Sequence, residues 1–322
     1  MTLKTFLTNR RRGTRYRLNG ITQSTFSPSR WQPFSNIRKL TSAGELPAKV
    51  DLRPQMTPVE DQSQIGSCSA NALAGAYEYL VKQHLNKDTL VSRLFIYYNG
   101  RQQEGEGDIT DSGCTMSAAI EALEAYGTCG ERLWPYDISA VNTKPSQAAY
   151  TEAKQFIVDE ALSVQIELNE MKSCLAQGFP FTFGIMLFHS FDDAASGGVV
   201  PMPSGGQQGG HALLCVGYSD QSNSFIVRNS WGESWGDNGY CYIPYDYMTN
   251  TDYTFDAWTI RKLSSDDFGQ DAWDNDDSVD YTQNAGNDAD AGNGAIEDVD
   301  DDLDSGGDFQ SNDYGDDNDN NW

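Results

Sequence analysis

Gln62-Ser63-Gln64-Ile65-Gly66-Ser67-Cys68-Ser69-Ala70-Asn71 is a turn-forming run that carries a single cysteine into a helix. From Ala70 the apolar positions Leu73, Ala76, Tyr77, Leu80 and Val81 recur at three- and four-residue spacing. That spacing predicts an amphipathic helix with one buried face, ending near Asn86-Lys87. Cys68 then falls in the first turn, where unpaired N–H groups and the positive end of the macrodipole favour an anion. The thiolate is the form of cysteine that attacks carbonyls. A buried structural thiol is the alternative reading, because free cysteine is commonly buried.

Around this stretch the composition is uneven. Residues 1–44 carry nine Lys/Arg and no Asp/Glu, whereas residues 264–322 carry twenty Asp/Glu and no Lys/Arg. Setting those against the net charge of −25 leaves −14 for the residues between. A pI near 4.2 argues against a nucleic-acid or anionic-membrane partner for the whole molecule. No stretch approaches the roughly 20 apolar residues that span a bilayer, and the basic N-terminus lacks the apolar core of a signal peptide. The six cysteines show no paired spacing such as C-x-x-C, so neither a disulfide scaffold nor a zinc site is expected. Reduced thiols, an intracellular setting, a monomer and no metal or cofactor are the expectations.

Residues 1–44 read as a basic arm that drapes over something, or as an unstructured leader. Pro47, Pro54 and Pro58 mark an extended approach to the cysteine stretch. A second helix is predicted over Ser117 to Tyr126, capped by Gly127, and a third over Leu168 to Gln177. After about Val164 the texture becomes β-rich: Pro180 to Phe188, Ala212 to Tyr218, Ser224 to Arg228, Gly239 to Ile243 and Ala257 to Arg261. A helical first half and a strand-rich second half predict an α+β protein of two lobes with a site in the cleft between them. The Asp/Asn/Gly/Ser-rich residues 264–322 read as a disordered acidic tail.

A reactive cysteine needs a base beside it and a group to orient that base. Of the three histidines, His84 lies sixteen residues along the same helix, roughly 24 Å away, and is excluded. His189 follows a strand and reads as a residue at a loop mouth. His211 follows Gly209-Gly210 and opens a β-run, so small residues leave space before its ring. Asn229 ends the next run, within Val227-Arg228-Asn229-Ser230-Trp231-Gly232. Adjacent strands would set His211 beside Asn229, with Trp231 shielding their hydrogen bond from water.

These residues resemble the papain-like cysteine peptidases. The Gln-x-x-x-Gly-Ser-Cys block at 62–68, Gly-His-Ala at 210–212, and Asn-Ser-Trp-Gly-Glu-Ser-Trp-Gly at 229–236 stand in that family's order, over about residues 46–262. The family places His and Asn about 130 to 150 residues after the Cys; here the separations are 143 and 161. The resemblance implies a helical N-terminal lobe, an antiparallel β-barrel-like C-terminal lobe, and a peptidase domain over 45–263. It implies Cys68 as nucleophile, His211 as general acid and base, Asn229 as ring orienter and Gln62 as oxyanion donor. Gly113 would meet the substrate main chain, Cys114 and Thr115 would border the second-subsite pocket, and Ser112, Gly210 and Trp231 are further substrate-binding candidates. Ile65 and Thr110 stand where the family usually has a disulfide, which fits a bacterial and viral branch and a reducing compartment. Ser69 replaces the usual aromatic after the nucleophile. The reading is a cysteine endopeptidase acting on polypeptides through a thioester, with a silent binding or structural protein or a thiol acyl-transferase or ligase as alternatives. The basic arm, or short pro-segment, and the acidic tail are expected to contact each other or the cleft of the peptidase domain and restrain activity, with a solubilising tail as the other reading.

Overall fold

Three short runs of backbone pairing in the arm, one long buried helix and one broad sheet make up the architecture. The computed structural model describes residues 6–8, 15–105 and 108–263, so the acidic stretch 264–322 lies outside the described residues. In chain order the strands and α-helices are β1 (Phe6–Thr8), β2 (Arg15–Arg17), β3 (Gln32–Pro33), α1 (Phe34–Ile37), β4 (Lys49–Asp51), α2 (Cys68–Leu85), α3 (Arg93–Gln103), α4 (Met116–Tyr126), α5 (Gln147–Ala153), β5 (Val158–Ser163), α6 (Leu168–Ala176), β6 (Phe181–Phe188), β7 (Gln207–Ser219), β8 (Ser224–Arg228), β9 (Tyr240–Pro244), α7 (Tyr245–Met248) and β10 (Thr254–Leu263). None of the described helices is long and apolar enough to cross a membrane.

The helix predicted from the cysteine stretch is α2, and Asn86 closes it in the left-handed conformation with its N–H on Lys82 O. It is not amphipathic in the sense expected: every residue from Cys68 to Val81 is buried. The reason is tertiary. One side of α2 packs on β6 and β7, and the other receives α3 and α4. Gly75 marks the close approach to the sheet, since a Cβ there would stand 3.2 Å from Leu214 Cδ2 and 3.4 Å from Arg228 Nε. Deep in this layer Glu78 accepts from Thr57 Oγ1 at 2.6 Å and Val91 N at 3.0 Å. Burial, with the nearby Glu60 carboxylate adding to it, pushes its carboxyl well above the usual carboxylate range.

The sheet runs β3-β5-β10-β6-β7-β8-β9, with β4 added to the far end of β7. Its pairings are antiparallel except for β3 on β5. Among the described residues no ladder joins β3 to β9, so the expected barrel-like lobe is an open sheet. β7 is long enough to serve two partners in turn: β6 from Gln207 to Cys215, then β4 from Gly217 to Ser219. Its strand begins at Gln207, earlier than the sequence pattern indicated, because backbone pairing carries it through Gly209 and Gly210 without apolar side chains. β5, with the sequence Val-Asp-Glu-Ala-Leu-Ser, has no apolar run to betray it and is held by β10.

Gly127 ends α4 as predicted, with φ at 72° and its N–H on Leu123 O at 3.0 Å. A Cβ there would also lie 2.1 Å from Ala153 O. Gly127→Ala is therefore expected to destabilise the fold by about 1–3 kcal/mol, read as a lower denaturant midpoint at unchanged slope.

Candidate active site

The turn that delivers Cys68 is held by polar contacts on both sides. Tyr136 donates its hydroxyl hydrogen to Gln62 O at 2.9 Å and pairs with Ser67 Oγ at 2.5 Å. Asn71 Nδ2 reaches back to Ser67 O at 2.9 Å, and Arg93, stacked 3.8 Å over the Tyr136 ring, donates to Asn71 Oδ1 at 3.1 Å. Toward the sheet, Gln62 N–H donates to Ser230 O at 2.8 Å while Ser230 Oγ donates to Gln62 Oε1 at 2.7 Å. The remaining Gln62 contact runs from Nε2 to Ile65 O at 3.0 Å.

His211 comes from β7, opposite Ile185 of β6. Its Nε2 lies 2.8 Å from Asn229 Oδ1, which also accepts from Ser230 N at 2.8 Å. An amide oxygen cannot donate, so Nε2 carries the proton and the Nδ1 lone pair is free. Nδ1 is buried and has no hydrogen-bond partner. Trp231 stacks on the imidazole at 4.7 Å and 22°, which removes water from the His211–Asn229 bond. The thiol of Cys68 meets the N–H of Ala212, the residue after His211, together with its own N–H and that of Ser69. The strand that carries His211 thus meets the start of α2 at the thiol through the Ala212 N–H. His84 is exposed at the far end of α2, and His189 is exposed at the start of a 3-10 turn with Nδ1 on Gln208 Nε2 at 3.0 Å.

The space that the glycines before His211 leave open is filled by the arm. Tyr16 also stacks on Trp231, at 4.7 Å and 13°. Asn19 N–H donates to Gly210 O at 2.9 Å, and Cys114 N–H donates to Gly20 O at 3.1 Å. Gly20 itself has no room for a side chain: a Cβ would stand 2.6 Å from Gly66 O and 2.9 Å from Cys68 Sγ. Gly113, with φ at 83°, is equally confined, since its Cβ would meet Gly20 O at 2.5 Å. Residues 16–21 therefore lie across the thiol as a backbone segment. Further along, Ser24 N–H reaches Asp256 Oδ2 at 2.6 Å and β3 joins the sheet edge. The expected contact of the basic arm with the cleft was not assigned to particular residues in the sequence; the Asn19-Gly20 turn dipeptide was the available signal.

Of the other expected binding residues, Gly210 and Trp231 contact the arm directly, and Gly113 and Cys114 do so through Gly20. Ser112 is exposed beside them. Cys114 Sγ turns away to Ser69 Oγ at 3.1 Å, and Thr115 caps α4 by accepting from Ala118 N at 3.2 Å. The Thr115 oxygen is thus committed to the helix rather than offered to the cleft. All six cysteines are free, including at this site, where Ile65 and Thr110 stand apart from any sulfur bridge.

Burial reverses the expected ionisation. Desolvation pushes the Cys68 thiol from 9.0 up to about 11, and the backbone N–H groups only partly oppose it. That rise corresponds to about 3 kcal/mol, more than the roughly 2 kcal/mol upper range of a helix terminus. Burial also pushes His211 from 6.5 down to about 4, against the hydrogen bond to Asn229. With the arm seated, thiol and imidazole are both neutral at pH 7.

Residues 46–256 match the family model described as papain family cysteine protease. The chain is 39% identical over 231 residues to an uncharacterized peptidase C1-like protein of Acanthamoeba polyphaga mimivirus, covering 67% of this chain and 73% of that one. It is 30% identical over 223 residues to cathepsin K of Gallus gallus, covering 66% and 63% respectively. Among solved structures it resembles xylellain, a cysteine protease from Xylella fastidiosa, with a TM-score of 0.67 and 33% identity over 81% of this chain and 97% of that one.

The neutral pair makes a pH prediction. Iodoacetamide labelling of Cys68 in the full chain, followed by peptide mass spectrometry, is expected to stay slow from pH 6 to 9. It should rise as the pH approaches the thiol value of about 11.

Proposed function

The chain belongs to the papain family of cysteine proteases, and we propose that it cleaves polypeptides with Cys68 as nucleophile, His211 as proton carrier, Asn229 as orienter and Gln62 as oxyanion donor. The observation that carries this is the Trp231-covered His211–Asn229 pair, whose strand presents the Ala212 N–H to the thiol at the start of α2. Once substrate replaces the arm and water enters, Sγ adds to the scissile carbonyl carbon as its proton passes to His211 Nδ1. The oxyanion is met by the Cys68 N–H and a Gln62 amide hydrogen. Collapse breaks the C–N bond, and His211 returns the proton to the leaving amine. Water then adds to the thioester, giving its proton to His211, and the thiol leaves. Asn229 acts by keeping the proton of Nε2 in place through these steps.

The described state is one in which the arm blocks its own cleft. Residues 1–44 act as the blocking arm and 45–263 as the peptidase domain, a division supported by the family match at 46–256. The Tyr16–Trp231 stack, the Asn19–Gly210 bond and the approach of Gly20 to Cys68 support the blocked reading. Six reduced thiols support work in an intracellular, reducing setting.

Cys68→Ala is expected to abolish hydrolysis of a peptide library while leaving the fold intact by circular dichroism; undiminished hydrolysis would refute the assignment. Gln62→Ala should lower kcat by about 10²–10³. Tyr16→Ala removes a stacked pair worth about 0.5–1.5 kcal/mol beyond its buried area, so Cys68 labelling in the full chain should speed up by about threefold or more.

A further inference from the structure

Two loops form the walls beside Cys68, residues 62–67 before it and 110–114 across from it. The resemblance places a disulfide between these loops, and here the flanking positions are Ile65 and Thr110. What joins them instead is Asp111. Its Oδ1 accepts from Gly66 N–H at 2.8 Å and from Tyr97 O–H at 2.7 Å. The same Tyr97 oxygen accepts from Gly113 N–H at 2.9 Å. Tyr97 is fully buried, and burial together with the Asp111 carboxylate keeps its phenol protonated. It can therefore donate to one loop residue while accepting from another. Arg101 supports the unit from below, stacked 3.8 Å over the Tyr97 ring and donating to Thr110 O at 2.6 Å. The space is tight: a Cβ on Gly66 would stand 3.1 Å from Tyr97 Oη and 3.3 Å from Asp111 Oδ1.

We propose that Asp111 is a positioning residue for substrate binding: with Tyr97 it clamps Gly66 to Gly113 and so sets the width of the cleft where the arm's Gly20 now lies. The kinetic part of this inference rests on the peptidase reading above. The clamp has the properties of a noncovalent tie. Both amides it fixes flank the backbone of Gly20, whose oxygen sits on Cys114 N–H and whose Cα faces Gly66 O and Cys68 Sγ. A substrate main chain in the same place would depend on the same separation. The arm touches the clamp as well, through Arg17 Nη1 at 3.7 Å from Asp111 Oδ2 and Arg17 Nη2 at 3.4 Å from Asp111 O. This ion pair is partly exposed, so it is the weaker of the two attachments. A hydrogen bond to a charged acceptor contributes about 1.5–3 kcal/mol, which corresponds to about 10- to 150-fold in binding.

The test compares full-chain Arg17→Gln, Asp111→Ala, Asp111→Asn and Tyr97→Phe, with a fluorogenic peptide and active sites counted by a peptidyl epoxide. Arg17→Gln removes the arm's ion pair with Asp111, leaves its other attachments in place and sets the reference. Against it, Asp111→Ala should raise KM about tenfold with kcat per titrated site held within about threefold. Asp111→Asn keeps an oxygen for Gly66 and Tyr97, and should stay within about threefold of the reference. Tyr97→Phe should raise KM too, and combining it with Asp111→Ala should add little, since both act as one unit. A KM for Asp111→Ala equal to the reference, or an Asp111→Asn as impaired as Asp111→Ala, overturns the proposal. Amide exchange at Gly66 and Gly113 reads the clamp without turnover: about tenfold faster exchange in Asp111→Ala supports it, and unchanged exchange overturns it. Faster exchange in Asp111→Ala, with neither hydrolysis nor epoxide labelling in any of these variants or in Tyr16→Ala, would sink the peptidase reading alone.

Discussion

The contact on which the rest depends is the packing of α2 on β7, made close by Gly75 against Leu214 and Arg228. A nucleophile on a helix and a base on a strand belong to different lobes, and neither has chemistry without the other. Burying α2 on all sides fixes where its first turn points, and the β6–β7–β8 register fixes where His211 and Asn229 meet. Ser230 completes the link by holding Gln62 at backbone and side chain, so the loop before Cys68 is tied to the segment after β8. The apolar core thereby supplies the free energy, and the polar bridges across it supply the alignment.

The same packing explains why the thiol is quiet in this state. A helix terminus favours an anion, but only within the few kcal/mol that a dipole can offer, and complete burial costs more. The arm contributes to that burial with main chain rather than side chain at the critical point, because Gly20 alone fits between Gly66, Gly113 and Cys68. Its hold is spread out: an aromatic stack at Tyr16, a backbone bond at Asn19, an ion pair at Arg17 and the short parallel pairing of β3. Spread attachment by small terms lets a segment be secure in sum and still removable piece by piece. Asp111 stands where these effects meet, holding the loops on one side and the arm on the other.

Much of this was legible because it rests on local pattern. The Cys68 helix, its end at Asn86, the Gly127 cap and most strands of the second half follow from periodicity and turn residues. What escaped was decided by pairing partners: β5, whose acidic residues conceal a strand, and the start of β7, whose glycines are drawn into the ladder by β6. The one-sided helix was misjudged for the same reason, since Ser69, Asn71 and Glu78 look like solvent-facing positions until α3, α4 and the sheet enclose them.

The sequence by itself determined the chemistry, because a thiol, an imidazole and an amide in that order admit few uses and their residue types cannot be supplied by folding. The tertiary structure alone decided the state. Whether the thiol is charged, what occupies the cleft, and how its two walls are joined without a sulfur bridge depend on distances between segments up to two hundred residues apart. Desolvation and hydrogen-bond geometry act through those distances, and no local pattern encodes them.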